Sequence, residues 1–219
     1  LDIPNRGAHE VIGDRALGEN STLVEELGRA LSEGLMAEAV LPVIKHIPGH
    51  GRAKSDSHKE LPVVNTRLKE LEVTDFLPFE RLNEMPWAMT AHVVYEAIDP
   101  INAATISPII IKEIIRDKIK FKGLLLSDDI GMEALSGTKG ERALKILEAG
   151  CDLTLECSGK IEDMTEVASI IPAMKEEAIG RAIKAEELRQ QKLIEDGLTY
   201  EELLEELKNI LWDYQNEGA

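Results

Sequence analysis

The sequence predicts an α/β fold in which helices cover a parallel sheet. Three observations carry that prediction. Five apolar runs of strand length alternate with stretches of helical pattern, the runs are apolar throughout, and three of them end in a polar group, His46, His92 and Asp128. Strands buried on both faces read as continuous apolar runs, and a helix after each one makes neighbouring strands parallel. Chemical side chains at the carboxyl ends of several parallel strands mark a (β/α) barrel. A doubly wound open sheet predicts a similar pattern, so periodicity leaves the two architectures open.

Leu1-Asp2-Ile3 reads as the tail of a strand. Helical pattern covers about Ser21 to Glu38, with Ser21 or Asn20 as cap and Glu25-Glu26 in the first turns. A strand over Val40–Lys45 leads into a loop rich in histidine and glycine, His46 to His58, which reads as exposed. One helical stretch follows near Thr66–Leu82, then a strand over Trp87–His92 and a loop with Asp99-Pro100. Ser107-Pro108 opens a helix to about Ile119, with Ser as N-cap and Pro at the first helical position. Gly123–Asp129 is a strand, Lys139–Ala149 a helix stopped by Gly150, and Asp152–Glu156 the last strand. Helical pattern dominates from there, with Gly197 and Thr199 separating two late helices.

The 219 residues, 43% hydrophobic, suffice for one domain with a sizeable core. A net charge of −16 argues against nucleic acid or an anionic membrane surface as partner, since both need basic patches. From Glu176 to Ala219 there are 12 acidic against 5 basic residues, which reads as the solvated face of an acidic helical tail. The organisation expected is therefore a barrel part over 1–175 and a tail over 176–219. Cys151 and Cys157 flank a strand, roughly 20 Å apart at ~3.3 Å per residue, too far for a disulfide. Reduced thiols, with no signal peptide or membrane-length apolar run, point to the cytoplasm. Leu1 is not an initiator Met, which reads as a chain lacking its beginning.

Asp56-Ser57-His58 places a carboxylate two residues from an imidazole. An Asp that accepts a proton from one ring nitrogen raises the basicity of the other, and such a pair can give and take a proton. The same spacing also suits a plain polar turn. Ser127-Asp128-Asp129 sets two carboxylates at a strand end, one able to act as nucleophile and the other to cap a turn. Lys45, in a barrel interior, calls for an anionic or hydroxyl partner. Arg15 fits either the site or the surface. His46, His50, Asp56 and His58 could also supply ligands to zinc, although no strong zinc spacing is present. P-loop order and Gly-x-Ser-x-Gly are both absent.

Lys45-His46-Ile47-Pro48-Gly49-His50-Gly51 with Asp56-Ser57-His58 resembles the signature of the β-N-acetylglucosaminidases of glycoside hydrolase family 3. Ser127-Asp128-Asp129-Ile130-Gly131-Met132, Met89-Thr90-Ala91-His92-Val93 and Ile12-Gly13-Asp14-Arg15 resemble further motifs of that family, in the expected order. The likeness runs from Leu1 to about Ser158. It implies a (β/α)8 TIM-barrel type fold and a retaining hydrolase that removes terminal β-linked N-acetylglucosamine. The implied substrate is a bacterial cell-wall fragment, N-acetylglucosamine on 1,6-anhydro-N-acetylmuramic acid with or without peptide, and the implied setting is the bacterial cytoplasm. Asp128 would be the nucleophile, His58 the general acid/base and Asp56 its partner. Arg15, Lys45, His46 and His92 would bind the sugar, with no cofactor and no metal.

Members of the family carry an earlier strand ending in an Asp-Gln-Glu-Gly-Gly-Arg-like motif, which nothing here matches. Five strands, the first cut short, stand against eight in a closed barrel of ~250 residues. The expectation is an incomplete barrel, about the carboxyl-terminal two-thirds of such an enzyme, with exposed sheet edges.

Overall fold

A computed structural model describes residues 1–5, 7, 9, 12–191 and 199–216. Its main sheet has four strands, β1 (Val43–Ile47), β3 (Trp87–Thr90), β5 (Leu124–Asp129) and β6 (Leu153–Leu155), in the order β1-β3-β5-β6. All three pairings are parallel, with Val43 opposite Trp87 and Trp87 opposite Leu124. The fold is α/β of the TIM-barrel type, and among the described residues the barrel is incomplete. Residues 1–5 lie beside β1 without forming a strand: Leu1 N donates to Lys45 O and Asn5 N to Gly51 O. Gly51 sits directly against this segment, where a Cβ would come within 2.0 Å of Ile3 O.

Helix α1 (Ser21–Ala37) starts at Asn20, whose side chain accepts from Leu23 N. The single helix expected over 66–82 is two short ones, α2 (Leu68–Val73) and α3 (Leu77–Arg81). The break falls at Thr74-Asp75, where Thr74 Oγ1 donates locally to Glu70 O and Arg52 Nε, distant in sequence, donates to Asp75. Such side-chain bonds offer the backbone an alternative to helix. Two short parallel strands, β2 (Val63–Val64) and β4 (Val94–Tyr95), add a second small sheet, too brief to leave a periodic signal. Ser107 caps the next helix by accepting from Ile110 N, and Ile110–Lys118 is π-helical with its four isoleucines buried.

Helix α4 (Lys139–Ala149) has a full Thr138–Glu141 capping box and ends at Gly150, left-handed at φ 116°. Helices α5 (Ile161–Ile170), α6 (Glu176–Gln191) and α7 (Tyr200–Asn216) follow. Thr199 caps α7, whereas Gly197 lies outside the described residues. Helix α6 packs on the sheet through buried Ala178 and Ala185, and Arg181 donates to Asp152 at 2.6 Å. No helix among the described residues is long and apolar enough to cross a membrane.

Asp152 is the buried anchor of this side of the sheet. Its carboxylate accepts from Arg116, Arg181 and Leu125 N, at 2.9, 2.6 and 2.9 Å. Removing one partner of a buried pair strands the other charge, at about 3–5 kcal/mol. Asp152→Ala is therefore expected to lower the urea unfolding free energy by about that amount. A loss below about 1 kcal/mol would show the pair to be solvated like a surface bridge.

Candidate active site

The residues with chemistry meet at the carboxyl ends of β1 and β5. A cleft of about 370 Å³ is walled by Ile12, Arg15, Lys45, His46, His50, Ser57, His58 and Asp128. A cleft of about 620 Å³ beside β6 is larger but presents one carboxylate, Asp152, already locked by two arginines. Chemistry, not size, selects the smaller one.

The loop after β1 is mostly buried, contrary to the exposed loop expected. His46 and His50 are 7% and 3% exposed, and of the loop's three histidines only His58 projects, with a side chain 64% exposed. Three contacts press the loop inward: Tyr95 Oη donates to Gly49 O, Arg52 grips Asp75 and Glu70, and Ile3 covers Gly51. The Lys45–His46 and Ile47–Pro48 peptide bonds are cis. Lys45 is exposed where a barrel-interior lysine was expected, because the sheet of the described residues does not close over β1.

Asp2 organises the buried histidines, a role that sequence reasoning missed. Its Oδ2 accepts from His46 Nδ1 at 2.6 Å, and its Oδ1 accepts the backbone N–H groups of His46 and His50 at 3.1 and 2.7 Å. Burial alone would raise this carboxyl, but the His46 imidazole and the His50 N–H outweigh it and hold Asp2 well below the usual carboxylate range. With Nδ1 engaged, His46 Nε2 faces Asp128 Oδ2 at 3.7 Å. The only available signal was a carboxylate in a three-residue apolar remnant.

The two adjacent carboxylates separate cleanly. Asp129 Oδ1 accepts the N–H of Gly131 and of Cys157, tying the end of β5 to the segment after β6. Asp128 Oδ1 accepts Asp129 N, while Oδ2 is turned to His46 and the cleft. Asp56 Oδ1 accepts both His58 Nδ1 and His58 N, at 2.8 and 2.9 Å. Those two bonds, the backbone one first, lower the Asp56 carboxyl. Nε2 of His58 is left for proton exchange. Arg15 lies on the cleft wall, its Nε donating to Ile12 O.

His92 is not on that wall. It is fully buried, with Nδ1 on Thr105 Oγ1 and Nε2 on Asp129 O, both at 3.0 Å. The expectation that it binds sugar is corrected on that ground: neither ring nitrogen is available to a ligand, and its contact instead fixes the end of β5. Of the histidines of the zinc alternative, His46 Nδ1 is held by Asp2, His50 Nε2 by Ser57 and His58 Nδ1 by Asp56, and among the described residues no group of three His, Cys, Asp or Glu is placed to hold a metal. Cys151 and Cys157 are both free thiols.

Burial pushes the imidazoles of His50 and His92 below their ordinary value of 6.5. The unfolded chain then binds more protons than the folded one below about pH 6.5, so stability is complete above that pH and falls in acid. We expect the urea midpoint to drop between pH 7.5 and 5.5, and His92→Gln to flatten part of that slope. A midpoint that held or rose in acid would contradict the burial of these rings.

The description "Glycosyl hydrolase family 3 N terminal domain" matches residues 1–190. The chain belongs to glycosyl hydrolase family 3. A beta-hexosaminidase of Alkalilimnicola ehrlichii is 42% identical to this family 3 chain over 162 residues, covering 72% of the chain and 46% of the relative. The chain spans about half the length of the curated relatives it matches. Among solved structures, a family 3 beta-N-acetylglucosaminidase from Paenibacillus sp. superposes with a TM-score of 0.78 at 30% identity, over 92% of this chain and 42% of that one. NagZ from Neisseria gonorrhoeae in complex with N-trifluoroacetyl-D-glucosamine gives 0.75 at 34% identity, over 90% and 59%.

Proposed function

We propose that this family 3 chain carries the reacting groups of a retaining hydrolase that removes terminal β-linked N-acetylglucosamine from cell-wall fragments. The observation that supports it most is the meeting of Asp128, His46, Lys45, Arg15 and the Asp56-backed His58 on one cleft. The Asp128 carboxylate attacks the anomeric carbon and the bond to the leaving oxygen breaks, with His58 Nε2 supplying its proton. His58 then takes a proton from water, which displaces Asp128 from the glycosyl-enzyme and frees the sugar. Lys45, Arg15 and His46 hold sugar hydroxyls, and His92 braces β5 from behind.

Substrate class and relatives' names agree in kind: one neighbour holds an N-acylated glucosamine analogue. We place the activity in the bacterial cytoplasm, in keeping with two free thiols and the absence of a membrane-length apolar helix among the described residues. The net charge of −16 suits a small saccharide better than nucleic acid or an anionic membrane. Residues 1–175 supply the barrel part and 176–219 the acidic helical extension, whose first helix packs on the sheet.

Hydrolysis of a chromogenic β-N-acetylglucosaminide tests this. We expect turnover by the wild-type sequence, alone or with its amino-terminal side extended by a family 3 segment, and turnover lowered about a hundredfold or more in His58→Ala. Undiminished turnover in His58→Ala would remove His58 as the acid/base.

A further inference from the structure

We propose that His50 is a positioning residue, latching the proton-donating loop through Ser57 onto the buried Asp2–His46 cluster. The inference deepens the glycosidase reading and rests on its assignment of His58. Residues 54–60 contain no helix or strand, and His58 stands exposed at their centre. Something must hold its ring near Asp128, because a loosely held proton donor loses the advantage of orientation.

Among the described residues, one side-chain hydrogen bond ties residues 54–60 to the rest of the molecule: His50 Nε2 to Ser57 Oγ, 3.1 Å. Ser57 is buried at 3% exposure, although it lies between Asp56 and the projecting His58. The loop thus turns its middle hydroxyl inward and its two proton-handling groups outward. His50 is in turn fixed by its own N–H on Asp2 Oδ1, the carboxylate that also holds His46 against Asp128. A continuous hydrogen-bonded path therefore links the attacking carboxylate's neighbour to the base of the acid/base loop.

The ring of His50 is arranged for this one bond. Its Nδ1 is buried with no partner among the described residues. A buried N–H without an acceptor is costly, so the proton belongs on Nε2, where Ser57 Oγ accepts it. Burial lowers the imidazole's proton affinity and keeps the ring neutral, leaving one donor and one partner.

Two measurements on the full chain decide the point. In hydrogen exchange read by mass spectrometry, Ser57→Ala and His50→Phe should speed exchange of residues 53–60 about fivefold, with β5 unaffected, as expected for one lost bond of ordinary strength. His50→Gln, which can place an amide N–H near the same hydroxyl, should restore part of the protection. Unchanged exchange in both Ser57→Ala and His50→Phe overturns the latch, whether or not the chain turns substrate over.

The second measurement compares kcat/KM for aryl β-N-acetylglucosaminides with good and poor leaving groups, since only the poor one needs a proton. Ser57→Ala should lose about tenfold more on the poor leaving group than on the good one, following His58→Ala in kind. If His58→Ala shows that dependence and Ser57→Ala does not, the latch is wrong and the glycosidase reading stands. If His58→Ala itself shows none, the acid/base assignment fails instead.

Discussion

Asp128→Asn is expected to lower kcat on a β-N-acetylglucosaminide by about a thousandfold or more, the scale seen when a nucleophile is removed. The amide keeps an oxygen where Asp128 Oδ1 accepts Asp129 N, so the end of β5 stays in place. What disappears is the negative charge beside His46 Nε2 and the lone pair that would bond to the anomeric carbon. The loss should fall on kcat and on good and poor leaving groups alike, which separates it from the His58 variants. Asp129→Ala is the control, because it deletes an acceptor shared by Gly131 and Cys157 and should act on stability, by about 1–3 kcal/mol. Full turnover in Asp128→Asn would return the nucleophile assignment to Asp129.

Gly51→Ala should combine a loss of stability with a loss of activity. A methyl group there would lie 2.0 Å from Ile3 O and 2.3 Å from Ile3 C, a backbone clash that no side-chain rotation relieves. Overpacking of this kind costs about 1–3 kcal/mol. The entropic benefit of replacing glycine, about 0.4–1 kcal/mol, is smaller and does not rescue it. Relief requires residues 1–5 to move off the loop, and Asp2 moves with them. Both His46 bonds to Asp2 are then lost, so kcat falls along with the urea midpoint. Wild-type stability in Gly51→Ala would mean that the segment does not press on the loop.

The sequence made the parallel strands legible because their apolar runs are continuous, and His46 and Asp128 stood out by ending such runs. The pairing of Asp56 with His58 was legible for a different reason: it is local, and two residues suffice to state it. Asp2 was not, since its bonds to His46 and His50 span 44 and 48 positions and leave no periodic trace. His92 shares the strand-end signature of His46, and only the hydroxyl of Thr105 and the carbonyl of Asp129 reveal that its ring is already occupied. The break at Thr74 was hidden because helical propensity across 66–82 is overridden by a tertiary contact, Arg52 on Asp75.

The carboxylate of Asp129 has one more consequence, through its grip on Cys157 N. That bond sets a largely exposed thiol at the charged end of β5, where partial desolvation first, then Asp129 and Asp128, make it harder to ionise. Thiolate is the reactive form, so the rate at which Cys157 is alkylated reports its partial burial together with the negative charge beside it. The chain carries its own chemical electrode beside the end of β5, readable without substrate and without turnover.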